Sequence, residues 1–370
     1  MLQIDYFWAS QIIVSISHSF IMKVGILGAT GAVGQKFIRL LQGHPWFEIE
    51  ALGASERSAG KKYKDAANWI EDVVLPDHIK EMTVKNCEPS EFSDVDFVFS
   101  GLDSSVAGEI EKAFASSGIP VISNAKNYRQ DPTVPLLIPE INPDHTELIK
   151  NQTFTKDGSG WIVTNPNCVA VPLAISLKPL YDAFGIEALI LTTMQAISGA
   201  GYPGVASLDI LGNVIPFISG EEPKVGPETR KLLSTLEGTT LAKPHFPVQA
   251  TATRVPTING HMISATVKLE NPPSNFEELY AAFANWKNPI ADLDLPFSPK
   301  ELYKLHEEER YPQPRLHADA ENGMQLHIGR LRKAEVFDVS FVAMAHNTIR
   351  GAAGGAILNA ELLVKKGYLK

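Results

Sequence analysis

The 370-residue chain has only two cysteines, Cys87 and Cys168. Two thiols cannot build a disulfide framework, so an apolar core must hold the fold. Such sparing use suits a reducing compartment, and a cytoplasmic location is expected. The ten histidines are scattered without an HxxxH or CxxC spacing, so no metal site is expected. Positive charge is also short: 33 Lys and Arg stand against 42 Asp and Glu, a net charge of −9. That disfavours bulk nucleic-acid binding but leaves room for local basic pockets that take small anions. Long hydrophobic runs are missing as well. Residues 12–21 are fairly apolar, yet no Lys or Arg precedes them, Ser and His interrupt them, and the run is too short to span a bilayer. No membrane association is expected. Residues 1–21 read as a disordered or loosely docked extension, with a mis-assigned start codon as the other reading.

What remains is ordinary globular composition, 44% hydrophobic and 20% charged, at a length that predicts two domains. Regular patterning begins at Met22. Residues 23–27 form a short buried strand, and the turn Gly28-Ala29-Thr30-Gly31-Ala32-Val33-Gly34 leads into a helix expected over residues 35–42. Glycines in such a strand–turn–helix allow a tight turn and close approach of the backbone to a pyrophosphate at the helix N-terminus. A second strand over 47–52 ends in small residues rather than the acid that usually binds a ribose 2′-hydroxyl. Ser55, Arg57 and Ser58 cluster there instead, suited to a 2′-phosphate, and NADP is the cofactor expected. Glu56 is the contrary residue. Strands at 95–100 and 120–123 and a helix over 105–116 continue a parallel α/β pattern.

Cys168 lies in Thr164-Asn165-Pro166-Asn167-Cys168, ahead of an apolar helix expected over 169–184 with Asn167 as its cap. A thiol at a helix N-terminus is expected to favour thiolate, and the same N–H groups would hold an oxyanion. An isolated cysteine is more often a small buried hydrophobe, so the rest of the chain has to argue otherwise. Downstream the pattern turns to α+β. A strand over 188–196 carries Gln195 at its end, and the Gly-rich stretch 198–204 follows. Glu221 and Lys224 precede a helix expected from Pro227 to Ser234. Strands flank Arg254–His261, another spans 338–346, and Asn347 opens an Ala-rich helix running to Lys365.

The Gly28–Gly34 turn, Asn165-Pro-Asn-Cys168, Ser198–Gly204, Glu221-Glu-Pro-Lys224 and Arg254–His261 together resemble the aspartate-semialdehyde dehydrogenases, most closely their archaeal and fungal branch. The resemblance runs in order from Met22 to the C-terminus. It implies a Rossmann-type dinucleotide-binding domain (residues 22–164) and an α+β catalytic and dimerisation domain with a mixed sheet (165–344). A C-terminal helix (345–370) would return to the first domain. It implies NADPH-dependent reduction of L-4-aspartyl phosphate to L-aspartate 4-semialdehyde with phosphate release, a step in lysine, threonine, methionine and isoleucine synthesis. Cys168 matches the family nucleophile, His261 the acid/base and Gln195 an orienting residue. Arg254 matches the binder of the substrate carboxylate and Glu221 that of its ammonium. Lys224, with Asn124 and Arg129, matches the phosphate site, and Asn347 a contact near the nicotinamide. The expected partners are this small-molecule substrate and further copies of the chain, as a homodimer or homotetramer. Malonyl-CoA reductase resembles the same template with CoA as leaving group, N-acetylglutamyl-phosphate reductase does so more distantly, and a catalytically silent NADP sensor is the reading from another class.

Overall fold

Met22–Leu27 is buried at every position but Lys23, without alternation, the pattern of a strand covered on both faces. In the computed structural model, which describes residues 21–370, this is β1 of a six-stranded sheet. The extension expected at residues 1–21 lies, except for Ile21, outside the described residues. The other strands are β2 (Phe47–Ala54), β3 (Lys85–Asn86), β4 (Phe97–Ser100), β5 (Val121–Ser123) and β6 (Ile162–Thr164), in the order β3-β2-β1-β4-β5-β6. Every pairing is parallel. Strand order reverses between β1 and β4, and at such a point the carboxyl ends of the strands open a crevice for a ligand.

Helices cover both faces. On one, Phe37 stacks on Phe99 with ring centroids 4.7 Å apart, and Ile357, Leu358, Leu362 and Leu363 of the C-terminal helix Gly354–Lys365 join the same core. On the other, Phe114 of the Ser104–Ser116 helix packs with Val98, Val121 and Ile162. Burying that C-terminal helix on all sides against a sheet formed by the other end of the chain ties the termini of the described chain together.

The glycine turn differs from expectation in one respect: its helix starts at Ala32, three residues early, and runs to Leu40. Gly34 is therefore inside the first helical turn, and a Cβ there would sit 2.3 Å from the Gly28 carbonyl oxygen. Gly28 itself adopts φ +75°, which favours glycine. Gly31 is the helix N-cap at φ −81° with no side-chain cap, and a Cβ there would meet nothing nearer than 3.4 Å.

The second sheet is mixed, in the order β10 (Val248–Arg254), β7 (Ala188–Gln195), β11 (His261–Lys268), β14 (Val339–Ala345), β13 (Leu326–Lys333), β12 (Tyr303–Leu305). A separate hairpin joins β8 (Thr235–Glu237) to β9 (Thr240–Ala242). β11 alternates buried and half-buried positions along its length. Its inner residues Ile263, Ala265 and Val267 pack with Leu173, Leu177 and Leu180 of the Ala170–Phe184 helix. Several elements here were not expected from the sequence, among them the β8–β9 hairpin, β12, β13 and a helix at Phe276–Ala284. Another helix runs from Glu222 to Leu232, not from Pro227; Pro223 occupies its first turn and Pro227 its interior. At the C-terminal end, a π-helical turn at Ile349–Ala353 precedes the final helix. Among the described residues no helix is long and apolar enough to cross a membrane, and no cluster of His, Cys, Asp and Glu is arranged to hold a metal.

The two glycines separate packing from ligand access. Gly34→Ala should lower thermal stability, since forcing an atom into close-packed backbone costs on the order of 1–3 kcal/mol. Gly31→Ala should leave the melting temperature unchanged while weakening dinucleotide binding in a fluorescence titration. Equal melting of the two variants would contradict this division.

Candidate active site

β5 and β6 end side by side at the carboxyl edge of the parallel sheet, and each releases a loop toward the second sheet. The β6 loop carries Cys168. Asn165 fixes its base by donating to Asn124 Oδ1 (3.0 Å) and to the Ala352 carbonyl (3.3 Å). Asn167 Oδ1 accepts the Val169 N–H at 2.8 Å, and its carbonyl accepts the Val171 N–H. The helix proper begins at Ala170, so Asn167 braces the approach to the helix rather than occupying the N-cap itself. Above the sulfur-bearing residue passes the π-helical turn: a Cβ on Gly351 would come within 2.8 Å of Cys168 Cβ.

The expectation of a free thiolate is corrected by the surroundings. Burial pushes the Cys168 thiol up to about 12, and the carboxylate of Glu221 adds to the rise. The guanidiniums of Arg129 and Arg254 oppose it, and Glu228 reinforces it more weakly. Enclosure outweighs the helix terminus, whose effect fades within a turn.

Three of the sequence-chosen residues meet at one edge of the mixed sheet. Gln195 ends β7, Arg254 ends β10 directly beside it, and His261 begins β11 on the other flank. His261 is fully buried, and its Nδ1 accepts the Ala196 N–H at 3.0 Å. The proton of the neutral ring therefore sits on Nε2, which has no protein partner. Burial, with Arg254 and His346 nearby, pulls this imidazole down to about 3, so it is neutral near pH 7 and presents an N–H donor. Arg254 spends one donor on the Ala196 carbonyl (2.8 Å), and burial lowers its pKa. Gly199 lies across both: a Cβ there would stand 2.8 Å from His261 Cε1 and 3.0 Å from Arg254 Nη1. Gln195 is buried and reaches only Thr193 Oγ1, at 3.3 Å.

The remaining substrate candidates form a charged layer. Glu221 takes the Asn167 side-chain amide on both oxygens (2.9 Å each) and Lys224 Nζ at 3.0 Å. Lys224 is thus drawn to Glu221 and only partly exposed. Arg129 donates to Glu228 (3.0 Å) and to the Asn124 carbonyl (2.6 Å), with its Nε buried and unpartnered. Asn124 Nδ2 is likewise buried without a partner. Two unpaired donors in one loop are the chemistry of an anion site.

At the other end, the backbone N–H groups following Gly31 are left without a side-chain cap, and Thr30, Ala32 and Val33 are half-buried around them. Ser55 and Arg57 are exposed and Ser58 half-buried in a turn after β2, closed by Ser58 N–H donating to the Ser55 carbonyl. Arg57 makes no ion pair among the described residues. The cradle and the free guanidinium fit a phosphorylated dinucleotide. Asn347 bridges two loops of the site, accepting the Gly260 N–H (3.0 Å) and donating to Ser198 Oγ (2.8 Å).

Sequence reasoning missed Glu228, the tie of the Asn167 amide to Glu221, and the close approaches at Gly199 and Gly351. Starting the helix at Pro227 hid the run Glu221, Lys224, Glu228, whose spacing places all three on one helical face.

Comparison with known proteins agrees with the geometry. The family model described as semialdehyde dehydrogenase, NAD binding domain, matches residues 23–149, and the semialdehyde dehydrogenase dimerisation domain matches residues 177–350. The chain is 48% identical to an aspartate-semialdehyde dehydrogenase of Schizosaccharomyces pombe, over 94% of this chain and 99% of the relative. It is 48% identical to that of Archaeoglobus fulgidus, over 93% and 98%. The crystal structure of the Candida albicans aspartate semialdehyde dehydrogenase with NADP superposes with a TM-score of 0.87 at 43% identity, covering 94% of this chain and 99% of that one. With two family models spanning most of the chain and this degree of identity, the chain belongs to the aspartate-semialdehyde dehydrogenase family.

Proposed function

We propose that this enzyme catalyses the NADPH-dependent reduction of L-4-aspartyl phosphate to L-aspartate 4-semialdehyde, releasing phosphate, through a thioester on Cys168. In the cell this step would serve synthesis of lysine, threonine, methionine and isoleucine. The observation that carries the reading is the set of opposed charges acting on one half-buried thiol: Glu221 raises its pKa, and Arg129 and Arg254 lower it. An aspartyl phosphate has the matching ammonium, phosphate and α-carboxylate.

In this reading Arg254 clamps the carboxylate, using the guanidinium donors that the Ala196 carbonyl leaves free. Glu221 receives the ammonium, while Lys224 and the Asn124–Arg129 loop receive the phosphate. Placing an ammonium on Glu221 cancels a charge that holds the thiol protonated, so substrate binding itself favours ionisation of Cys168. The sulfur then adds to the acyl carbon and phosphate leaves, giving the thioester. The Gly28–Gly34 turn would hold NADPH, whose chemistry when bound is to supply a hydride. The neutral His261 donates its Nε2 proton to the oxygen that gains charge as the thioester is reduced, and takes it back as the thiohemiacetal breaks down. Gln195, at the same strand edge, orients the reacting carbonyl. Malonyl-CoA chemistry would leave the paired Glu221 and Lys224 without a substrate ammonium to bind.

The dimerisation-domain match supports a homo-oligomer, and the half-open face of the mixed sheet, with Ile190, Thr192 and Thr266, is the surface proposed between copies.

Two outcomes are expected. Run in reverse, semialdehyde and NADP⁺ should sustain multiple turnovers to NADPH only when phosphate or a close oxyanion is present; turnover that needs CoA instead would contradict the assignment. Glu221→Gln should shift the pH midpoint of Cys168 alkylation by iodoacetamide downward, because it removes a charge that raises the thiol pKa. An unchanged or higher midpoint would contradict the proposed activation.

A further inference from the structure

The Glu222–Leu232 helix and its cap present Glu221, Lys224, Glu228 and Lys231 at spacings of three, four and three, one continuous face. The first two belong to the substrate layer described above. The last two are assigned no substrate contact, yet both are buried, Glu228 at 3% and Lys231 at 0% exposure. Burial of a charged side chain is costly unless every donor and acceptor is used.

Here each is used, and on particular partners. Glu228 Oε2 accepts the main-chain N–H of Asn167 at 2.7 Å, one residue from the nucleophile. Its other oxygen accepts Arg129 Nη1 at 3.0 Å. Lys231 Nζ donates to the carbonyls of Arg129, Asp131 and Val134 at 2.8, 2.7 and 2.8 Å, matching three ammonium hydrogens with three acceptors. One helix face therefore holds the loop after β5, which carries Arg129, and the loop after β6, which carries Cys168. The Asn165–Asn124 hydrogen bond is a second tie between them, but it lies at their bases.

We propose that Glu228 is a positioning residue whose two carboxylate oxygens set the separation between the Arg129 guanidinium and the Cys168 thiol, with Lys231 anchoring the Arg129 loop behind it. The inference rests on the acyl-phosphate reading. Under that reading the phosphate must sit on Arg129 while its acyl carbon meets the sulfur, so the spacing of the two loops decides whether attack is in register. Misplacement by about 1 Å is enough to cost on the order of a hundredfold in rate.

Glu228→Gln keeps the size of the side chain but turns one of its two ends into a donor, which then faces another donor, either the Asn167 N–H or Arg129. One tie breaks and the other survives. In the semialdehyde-oxidising direction the variant should raise the KM for phosphate at least tenfold and lower kcat, with the KM for NADP⁺ and the melting temperature close to those of the unaltered enzyme. Glu228→Asp retains both acceptors one methylene short and should recover part of the loss. If Glu228→Gln does not fold, Glu228→Asp carries the test through the same split between phosphate and NADP⁺. Phosphate-dependent turnover in the unaltered enzyme, with phosphate KM and kcat in the variant within twofold of it, would overturn the proposal alone. So would equal losses for all substrates that follow a fall in melting temperature, which mark a structural role. Turnover of the unaltered enzyme without any oxyanion would overturn the underlying reading, and the proposal with it.

Discussion

A sulfur enclosed by protein keeps its proton unless nearby charge compensates, and the geometry of the catalytic edge follows from that constraint. Cys168 lies under the π-helical turn, close enough that Gly351 admits no side chain, and burial raises its pKa to about 12. Two guanidiniums and two carboxylates surround it and pull in opposite directions. None of these charges is placed by Cys168's own loop alone. Arg254 comes from the end of a strand in the mixed sheet, Arg129 from a loop of the parallel sheet, and both carboxylates from one connecting helix. The thiol is thereby set at the junction of the two sheets, where a ligand with charges at both ends can change the balance.

The same logic explains how so many polar groups are buried there. His261 satisfies Nδ1 on a backbone N–H and leaves Nε2 without a protein partner. Asn347 holds Gly260, immediately before His261, to Ser198 in the Gly-rich loop. Glycine at 199 lets that loop close on the imidazole and guanidinium together. In each case a backbone group fixes one end of a side chain and frees the other.

Much of this was legible in the sequence, for identifiable reasons. The Gly28–Gly34 turn is local chemistry: strand, turn and helix follow one another, and only the helix start was misplaced, since Gly34 is packed inside its first turn. Cys168 stood out at the expected helix start, and Gln195, Arg254 and His261 through the family resemblance of the stretches that carry them. The expected thiolate left out burial, a tertiary quantity that raises the thiol pKa and to which the close approach of Gly351, nearly two hundred residues downstream, contributes. Glu228 stayed hidden behind Pro227, which looks like a helix start although Pro223 had already filled that role. β12 and β13 were missed because one is three residues long and the other ends in charged and exposed residues.

The most direct test of a thioester on Cys168 is to trap it. With semialdehyde and NADP⁺ but no phosphate, the acylated enzyme has no oxyanion to discharge it and should accumulate. Rapid acid quenching and peptide mass spectrometry should then find one aspartyl group on the peptide bearing Cys168, with a matching stoichiometric burst of NADPH. A preparation that turns over normally when phosphate is added, yet never carries that adduct, would contradict the account.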